Sequence, residues 1–457
     1  MTIELSVEER WKAIEENTWF LSSGEDIPPD KHYRVYPEGH GIYLRDDDGK
    51  EYIDATSGNW CTVLGHGNKK VIKAIEEQLE KVQYPPPSHS DVSIRLLQRI
   101  AEVTPGDLNR VQLHLHGSDA NEVALAIARA YFKRQGKFNS MIISRWHAYH
   151  GQTLGVVGLT TVGRRRLTSG LDLATVSHGT YPMFAPYCYR CSYGLEYPSC
   201  DVRCARALED VLTFMRPDNV VAFMGEPVFG GGGNIAPVDE YWPVIRQICD
   251  KYGILLILDE VITGWGKTGK LFACEHWDIV PDIMVTAKGL TSAYLPLSAV
   301  IVREHVYKVF RKRGSPYYGH THSGYPVGSA CALAVIDVIM EEKLWENAAK
   351  VGAQIRKRLE KICQQSEIVG AVHGIGLMLG LEIVEDKASK KASLGATRTI
   401  MKKCEEKGVL LNLSGANGNI LPVSPPMIIT KEEADKLCDV LAEAIKETEA
   451  AGIKKES

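Results

Sequence analysis

The spacing of apolar and polar residues predicts that most of this chain folds around a buried sheet. From about residue 110 to residue 302, short apolar runs alternate with stretches of helical spacing. The runs cover 110–116, 140–144, 220–224, 254–258, 283–287 and 299–302. After the first run, apolar residues recur at 123, 124, 127, 128 and 131, as on one face of a helix. Strands that are apolar along their length are typical of a largely parallel sheet with helices on both faces.

Beyond about residue 326 the pattern changes to long amphipathic helices around a short β region. The helical stretches are "LWENAAKVGAQIRKRLEKICQQ" and "KEEADKLCDVLAEAIKE", and "GLMLGLEIV" lies between them. We therefore predict a large α/β domain at 62–325 and a smaller α+β domain formed by 1–61 and 326–457. Ligands of open α/β sheets bind beyond the carboxyl ends of the strands, so the loops there are the place to look for chemistry.

Charge and composition exclude several classes of function. The 457 residues carry a net charge of −4, so no basic field exists to attract nucleic acid or anionic lipid. No apolar run has the length needed to cross a bilayer. The acidic first residues, "MTIELSVEERWKAIEENTWF", do not resemble a secretory signal. We expect a soluble, cytoplasmic protein that binds neither nucleic acid nor membrane.

Eleven cysteines, an odd number, fit a reducing compartment. Cys188, Cys191, Cys200 and Cys204 lie close together in "CYRCSYGLEYPSCDVRC". The first pair has the two-residue gap of many zinc sites, but the second pair has a wider gap and only a short loop separates them. A structural metal therefore remains open, reduced thiols in a packed loop are favoured, and no residue is assigned as a metal ligand.

The stretch "ILLILDEVITGWGKTGK", residues 254–270, contains a G-x-G-x-x-G pattern. A dinucleotide-binding turn needs these glycines directly after a strand and at the start of a helix. Here Asp259 and Glu260 occupy the strand end and no helical pattern follows. A phosphate loop needs a hydroxyl residue after its lysine, but Leu271 follows Lys270. We interpret the glycines as turn glycines.

The acids of the same stretch indicate another cofactor. A buried aspartate at a strand end, such as Asp259, is costly to ionise without a cationic partner. The protonated ring nitrogen of pyridoxal phosphate (PLP) is such a partner. This cofactor also needs a lysine for a Schiff base. Lys288 in "VTAKGL" follows the next predicted strand, so the two side chains can meet at one site, which favours PLP over a solvated loop lysine.

At these residues the chain resembles a known family. "LDEVITGWGKTG" and "PDIMVTAKGLTSAYLPLSAVIV" resemble the signature of the class III, fold-type-I PLP-dependent aminotransferases. The resemblance extends from "YIDATSGNWCTVLGHGN" to "SPPMIITKEEADKL". It implies a mostly parallel seven-stranded sheet between helices, a smaller α+β domain, and PLP bound to Lys288. The nearest branches are the ω-amino acid and amine transaminases and the dialkylglycine decarboxylases.

The resemblance also implies a phosphate site. "HGSDANEVALAIAR" places Gly117 and Ser118 at a helix N-terminus, where free N–H groups and the helix dipole favour an anion. The residues alone leave an ordinary N-cap equally open. "GHTHSGYP" resembles the segment whose threonine, here Thr321, reaches the phosphate of the neighbouring subunit. The family thus implies a homodimer, or a dimer of dimers, with shared active sites.

Four further assignments around the cofactor ring follow from the resemblance. Tyr149 in "HAYHGQT" would stack on one face of the ring, and Val261 would cover the other. Glu226 in "GEPVFGGGG" would lie near the ring hydroxyl and Asp259. Asp259 would keep the ring nitrogen protonated. Without the resemblance, a tyrosine at a strand end is usually a core residue.

Two departures from the family pattern bear on the substrate. Ile262 stands where many members have glutamine, and Trp60 in "GNWC" resembles the substrate-pocket tryptophan of the amine transaminases. Pro422 stands where enzymes acting on α-amino acids usually carry an arginine for the substrate carboxylate. Arg164, Arg165 and Arg166 could replace it, although such a run is more often a solvated loop.

We therefore expect an aminotransferase that moves an amino group from an amine, an ω-amino acid or an amino acid derivative to a 2-oxo acid. Two reactions with the same machinery remain as alternatives. One is racemisation or epimerisation of an amino acid or its amide. A racemase of an uncharged amino acid derivative would tolerate the missing arginine. The other is dialkylglycine-type decarboxylation, which must orient a carboxylate and is disfavoured by Pro422. A third alternative is a structural or regulatory homologue that is not an enzyme and binds no cofactor. Such a protein would be colourless when purified.

Overall fold

A computed structural model describes residues 5–17, 35–85, 89–138, 140–162, 179–311 and 319–452. The helices are α1 Val7–Asn17, α2 Ser57–Trp60, α3 Lys69–Leu79, α4 Asp91–Val103, α5 Gly117–Arg134, α6 Arg203–Met215, α7 Tyr241–Tyr252, α8 Glu304–Phe310, α9 Pro326–Glu341, α10 Leu344–Gln365, α11 Leu394–Glu406 and α12 Lys431–Ala450. The strands are β1 Glu38–His40, β2 Tyr43–Arg45, β3 Glu51–Asp54, β4 Leu108–His114, β5 Met141–Arg145, β6 Thr180–Met183, β7 Val220–Gly225, β8 Leu255–Asp259, β9 Ile283–Thr286, β10 Ser298–Arg303, β11 Val369–Ile375, β12 Met378–Ile383, β13 Val409–Leu410 and β14 Ile420–Val423.

The largest sheet has seven strands in the order β4-β10-β9-β8-β7-β5-β6. All neighbouring strands from β9 to β6 are parallel, and β10 alone runs the opposite way between β9 and β4. The α/β class and the mostly parallel sheet are thus confirmed. The apolar pattern predicted six of these strands and missed β6, because this short strand at the sheet edge is only partly buried.

The sheet is buried on both faces, which explains its continuous apolar runs. In β8, Leu256 and Leu258 pack into one cluster of core residues and Leu255 and Ile257 into another. All four side chains are at most 4% exposed. Because alternate residues of a strand point to opposite faces, a strand covered on both sides has no polar position to reveal its period.

Two smaller sheets accompany the large one. β11, β12 and β14 form an antiparallel sheet. β1, β2 and β3 form a second sheet with β13, which pairs in parallel with β3 through Val409 and Ile53. N-terminal strands and a C-terminal segment therefore share one sheet. This pairing agrees with the placing of 1–61 and 326–457 in one small domain. The domain bounds, including 62–325 for the large domain, stay a prediction.

The loop between β8 and β9 contains no α-helix. Its helical segment is the 3-10 turn Ala273–Trp277, and the glycines of residues 264–269 come before it in irregular turns. No helix therefore begins at the G-x-G-x-x-G pattern, as expected of turn glycines. Across the described residues, no helix combines the length and apolar character that a membrane span requires.

Candidate active site at the carboxyl edge of the large sheet

Five strands of the large sheet deliver residues to a single cavity of about 150 Å³. Because β4, β5, β7, β8 and β9 run in the same direction, their carboxyl ends meet at one edge of the sheet. The predicted residues in its lining are Gly117 and Ser118 after β4, Tyr149 after β5, Glu226 after β7, Asp259 and Val261 at the end of β8, Lys288 after β9, and Trp60 from α2.

Asp259 is the best-anchored side chain of this cavity. It is 3% exposed, and its Oδ2 lies 2.8 Å from both His150 Nδ1 and Asn121 Nδ2. The backbone N–H of Val261 donates to Oδ1 over 3.1 Å. An ionised carboxylate has only lone pairs to offer, so His150 must carry its proton on Nδ1 in this contact. Three donors thus fix the orientation of the Asp259 carboxylate, the group that is expected to pair with a protonated ring nitrogen.

Asn121 and His150 also line this cavity, although sequence reasoning did not assign them to the site. Asn121 also donates to the backbone carbonyl of His150 over 2.8 Å, while its buried Oδ1 has no hydrogen-bond partner. A signal for each existed in the sequence. His150 follows Tyr149 directly, and Asn121 lies one helical turn after Gly117, so both extend segments already assigned to the site.

Glu226 joins two loops of the cavity. Its Oε1 accepts the backbone N–H of Tyr149 at 3.0 Å, and its Oε2 accepts that of Gly230 at 2.9 Å. Burial raises the pKa of Glu226, and the charge of Asp259 acts in the same direction. The side chain therefore fixes the backbone beside Tyr149 and the start of the glycine-rich loop 230–233.

Gly117, at the start of α5, and the neighbouring Gly151 are closely packed. A Cβ on Gly117 would lie 3.0 Å from both methyl carbons of Val261. A Cβ on Gly151 would lie 2.4 Å from Ser118 Oγ, and Gly151 has a φ of +123°. The first turn of α5, where backbone N–H groups lack partners within the helix, lines the cavity next to Val261.

Lys288 and Trp60 lie next to each other in the cavity lining. Lys288 Nζ donates to the carbonyl of Asn59 over 3.1 Å and lies 5.5 Å from the centre of the Trp60 ring. Lys288 and Trp60 have φ values of 41° and 58°. Left-handed backbone costs free energy for a residue with a side chain and is concentrated at functional sites. The Trp60 indole N–H is buried without a hydrogen-bond partner.

The sequence also singled out Thr321, Pro422 and three consecutive arginines. Thr321 is exposed and does not line this cavity within a single chain. Pro422 is buried in β14 opposite Gly380 of β12, so it forms part of a sheet. Arg164, Arg165 and Arg166 lie outside the described residues.

All eleven cysteines are free thiols, including the four in the segment 188–204. Cys188 is exposed, while Cys191, Cys200 and Cys204 are half-buried. Burial raises the pKa of Cys204 to about 12, so this thiol is protonated at neutral pH. The structure thus places the four thiols at the surface and just beneath it.

The cavity fits PLP on several independent points. It offers an oriented carboxylate in Asp259, an amine in Lys288, and a helix N-terminus at Gly117. A Cβ at residue 151 would collide with Ser118, and a Cβ at residue 117 would crowd Val261, so glycine keeps this part of the cavity open. The unpartnered Asn121 Oδ1 adds a buried acceptor beside Asp259. A carboxylate, an amine and an anion site are the three groups that this cofactor needs.

Known proteins share both the sequence and this architecture. Residues 27–445 match the family described as Aminotransferase class-III. A putrescine–pyruvate aminotransferase of Pseudomonas aeruginosa is 32% identical over 94% of this chain and 96% of its own length. A leucine/methionine racemase of Thermococcus litoralis is 34% identical over 88% of each chain.

A solved structure gives the same result. An amine transaminase from an uncultivated Pseudomonas species, in its PLP-bound form, superposes with a TM-score of 0.89 at 32% identity. The superposition covers 95% of this chain and 99% of that chain. The predicted family, fold and cofactor are therefore confirmed. The chain belongs to the class III aminotransferase family, and it is a pyridoxal-phosphate-dependent enzyme that carries out transamination.

Proposed function

We propose that the amino donor is a primary amine, an ω-amino acid or an amino acid derivative, and that the acceptor is a 2-oxo acid. The observation that carries this proposal is the cavity wall, in which no arginine stands among the described residues. The family position for that arginine is Pro422, which is buried in β14 and pairs with Gly380 of β12. Trp60, Val228 and Ile262 provide apolar surface instead. A donor whose carbon skeleton is uncharged near the amine suits these walls best.

The cofactor-binding roles follow from the geometry of the cavity. Gly117 and Ser118 would hold the phosphate at the N-terminus of α5. Tyr149 and Val261 would bracket the ring, and Asp259 would pair with its nitrogen. When bound, PLP supplies a ring that accepts the electron pair released as a bond to the substrate's α-carbon breaks. Asp259 keeps that nitrogen cationic because Asn121 and His150 fix the carboxylate in place.

Lys288 is the proposed catalytic residue. Its amine would hold the cofactor at rest, take up the proton from the substrate's α-carbon and give it back later in the transfer. The contacts of Nζ with Asn59 and with the Trp60 ring keep the amine against the apolar wall.

We also propose that the working enzyme is a homodimer. Thr321 is exposed in the single chain, at the loop that in this family reaches a neighbouring subunit's phosphate. The neighbour would thus complete each phosphate site. Symmetric pairing of this kind is the commonest oligomeric arrangement of soluble proteins.

The proposal is tested by the visible absorbance of PLP-loaded protein, freed of excess cofactor, as donors are added without an acceptor. The donors are diamines, ω-amino acids, α-amino acids and amino acid amides. We expect a diamine or an ω-amino acid to remove the visible absorbance stoichiometrically, and a 2-oxo acid to restore it. Lys288→Ala should show no response. Lys270→Ala, which changes an exposed lysine of the neighbouring loop, should respond like the wild type.

A racemase or epimerase is the second candidate, and the 34% identity with the leucine/methionine racemase of Thermococcus litoralis favours it. The same experiment separates the two. If the visible absorbance persists while a chiral amino acid or amide loses its optical activity, the enzyme is a racemase and our proposal is wrong. If only α-amino acids remove the absorbance, the proposed donor class is wrong.

A further inference from the structure

Two histidines and an aspartate form a second cluster outside the cavity. His114 ends β4, Asp119 lies in the first turn of α5, and His320 precedes Thr321. One side-chain nitrogen or oxygen from each lies within 4.8 Å of the other two. His320 Nε2 is 3.3 Å from Asp119 Oδ2. The rings of His114 and His320 are 6.0 Å apart and nearly perpendicular, at 81°.

His114 is the unusual member of this cluster. It is 0% exposed, yet neither ring nitrogen has a hydrogen-bond partner. Buried polar groups are almost always paired, so an imidazole without partners requires an explanation. A neutral imidazole presents one unshared lone pair, which is the group that a metal ion binds.

Asp119 is held in place by the backbone around it. Its Oδ1 accepts the N–H groups of His116 at 2.7 Å and Ala120 at 3.0 Å, and its Oδ2 accepts that of Leu115 at 3.2 Å. Oδ2 is also the oxygen that faces His320. Two members of the cluster, the buried histidine and this aspartate, are therefore fixed before any ligand arrives.

His320 is the adjustable member. Its side chain is 40% exposed, so a small rotation costs little packing. In a tetrahedral zinc site with bonds of about 2.0–2.1 Å, neighbouring ligand atoms lie about 3.3 Å apart. The separation between His320 and Asp119 already has this value, and the separations that involve His114 are at most 4.8 Å.

We propose that His114, Asp119 and His320 bind one divalent transition metal ion, most favourably zinc. Two imidazoles and one carboxylate are ligands that zinc prefers, and the fourth position would hold water. The bound ion would fasten the loop of Thr321 to the first turn of α5. None of the three residues lines the cavity. The ion would therefore order the surroundings of the phosphate site and take no part in proton transfer.

Zinc binding to holoenzyme tests this proposal. Metal is first removed from the holoenzyme with a chelator. Unbound PLP is removed as well, because it would itself bind zinc. The protein is then dialysed against micromolar zinc. Bound metal is then counted per chain. His320→Ala is the main variant, because it changes an exposed side chain. His322→Ala, an exposed histidine two residues further along the same loop, is the matched control. His114→Leu is a second variant at the buried ligand.

We expect wild type and His322→Ala to bind one zinc ion per chain more than His320→Ala and His114→Leu. Affinity should fall by more than about tenfold in those two, since loss of even an outer hydrogen-bond partner has that effect at known sites. Zinc should also raise the melting temperature of wild type and His322→Ala but not of His320→Ala. Equal zinc binding by all four proteins, or none by the wild type, would overturn the proposal. Any zinc held by the cysteines of segment 188–204 would be bound equally by all four proteins, so it does not affect the differences between them.

Discussion

At the scale of single residues, the site depends on contacts between side chains that belong to different loops. Asp259 is predictable from its place at a strand end, but its role as a stable anion depends on Asn121 and His150. These residues come from α5 and from the loop after β5. The hydrogen bonds offset the cost of burying a charge, which an isolated aspartate at this depth could not bear.

The close contact between Gly117 and Val261 leads to a prediction at this scale. A Cβ at residue 117 would lie 3.0 Å from the Val261 methyl groups and push them toward the ring position. We expect Gly117→Ala to cost about 1–3 kcal/mol in PLP binding, or at least about a fivefold loss of affinity. Absorbance titration of PLP into the apoprotein measures this.

The double variant Gly117→Ala with Val261→Ala is the control for that prediction. It removes the collision, so its affinity should exceed the value expected from adding the two single losses. Melting temperatures of the four proteins show whether folding is affected. Strictly additive losses would mean that the two residues do not meet as described.

At the scale of elements, one buried carboxylate joins the large sheet's loops to the three-stranded sheet. Glu382 of β12 accepts from His373 Nε2 at 2.8 Å and from Asn419 Nδ2 at 3.4 Å. From the loop after β6, Arg190 Nε donates over 2.5 Å and the Tyr187 hydroxyl donates as well. Burial alone would raise the pKa of Glu382, but the hydrogen bonds from His373 and Tyr187 and the charge of Arg190 lower it to about 2.

We expect Glu382→Gln to destabilise the protein and to change its response to acid. The folded pKa of about 2 lies below the ordinary value of 4.5, so the carboxylate's contribution is complete above pH 4.5. That contribution is lost as pH falls from 4.5 to 2. At pH 7 the loss should be about 3 kcal/mol. The free energy of unfolding, measured between pH 7 and pH 3, should fall less steeply with acid in the variant.

Glu360→Gln provides the comparison for this experiment. Glu360 pairs with Arg356 at 2.9 Å on the surface of α10, where its side chain is 48% exposed. Exposed ion pairs contribute less than about 1 kcal/mol, so this variant should follow the wild type. A Glu382→Gln variant as stable as Glu360→Gln at pH 7 would show that the buried network does not join the two parts.

At the scale of the whole molecule, the proposed shared sites predict that two defective chains can repair each other. Lys288→Ala removes the catalytic amine, and Thr321→Asp places a negative charge where the neighbour's phosphate would lie. Each homodimer should be nearly inactive. In mixed dimers, one site combines the intact lysine of one chain with the intact threonine of the other. After random mixing, about one site in four should be active.

The measurement is transaminase activity after unfolding and refolding the two variants together, against the same variants refolded separately and then combined. Size-exclusion chromatography should show dimers in both samples. If joint refolding gives no more activity than the separate samples, each site is complete within one chain and the role proposed for Thr321 is wrong.

From the amino-acid sequence alone we predicted the α/β class, six of the seven strands of the large sheet, and the family with its cofactor. These properties were readable because strand and helix periods are local, and because Asp259 and Lys288 lie in continuous stretches of the chain. The strand β6 was not predicted, because this short strand at the sheet edge lacks an apolar run. The roles of the individual site residues stay predictions until variants are measured.

The contacts between side chains that are distant in the chain became visible in the tertiary structure alone. The contacts of Asp259 with Asn121 and His150, the network of Glu382, and the cluster of His114, Asp119 and His320 each join segments far apart in the chain. The structure likewise placed Pro422 inside a sheet, where the sequence showed only a missing arginine. No local sequence pattern encodes such contacts, because they follow from strand order and from the common carboxyl edge of the sheet.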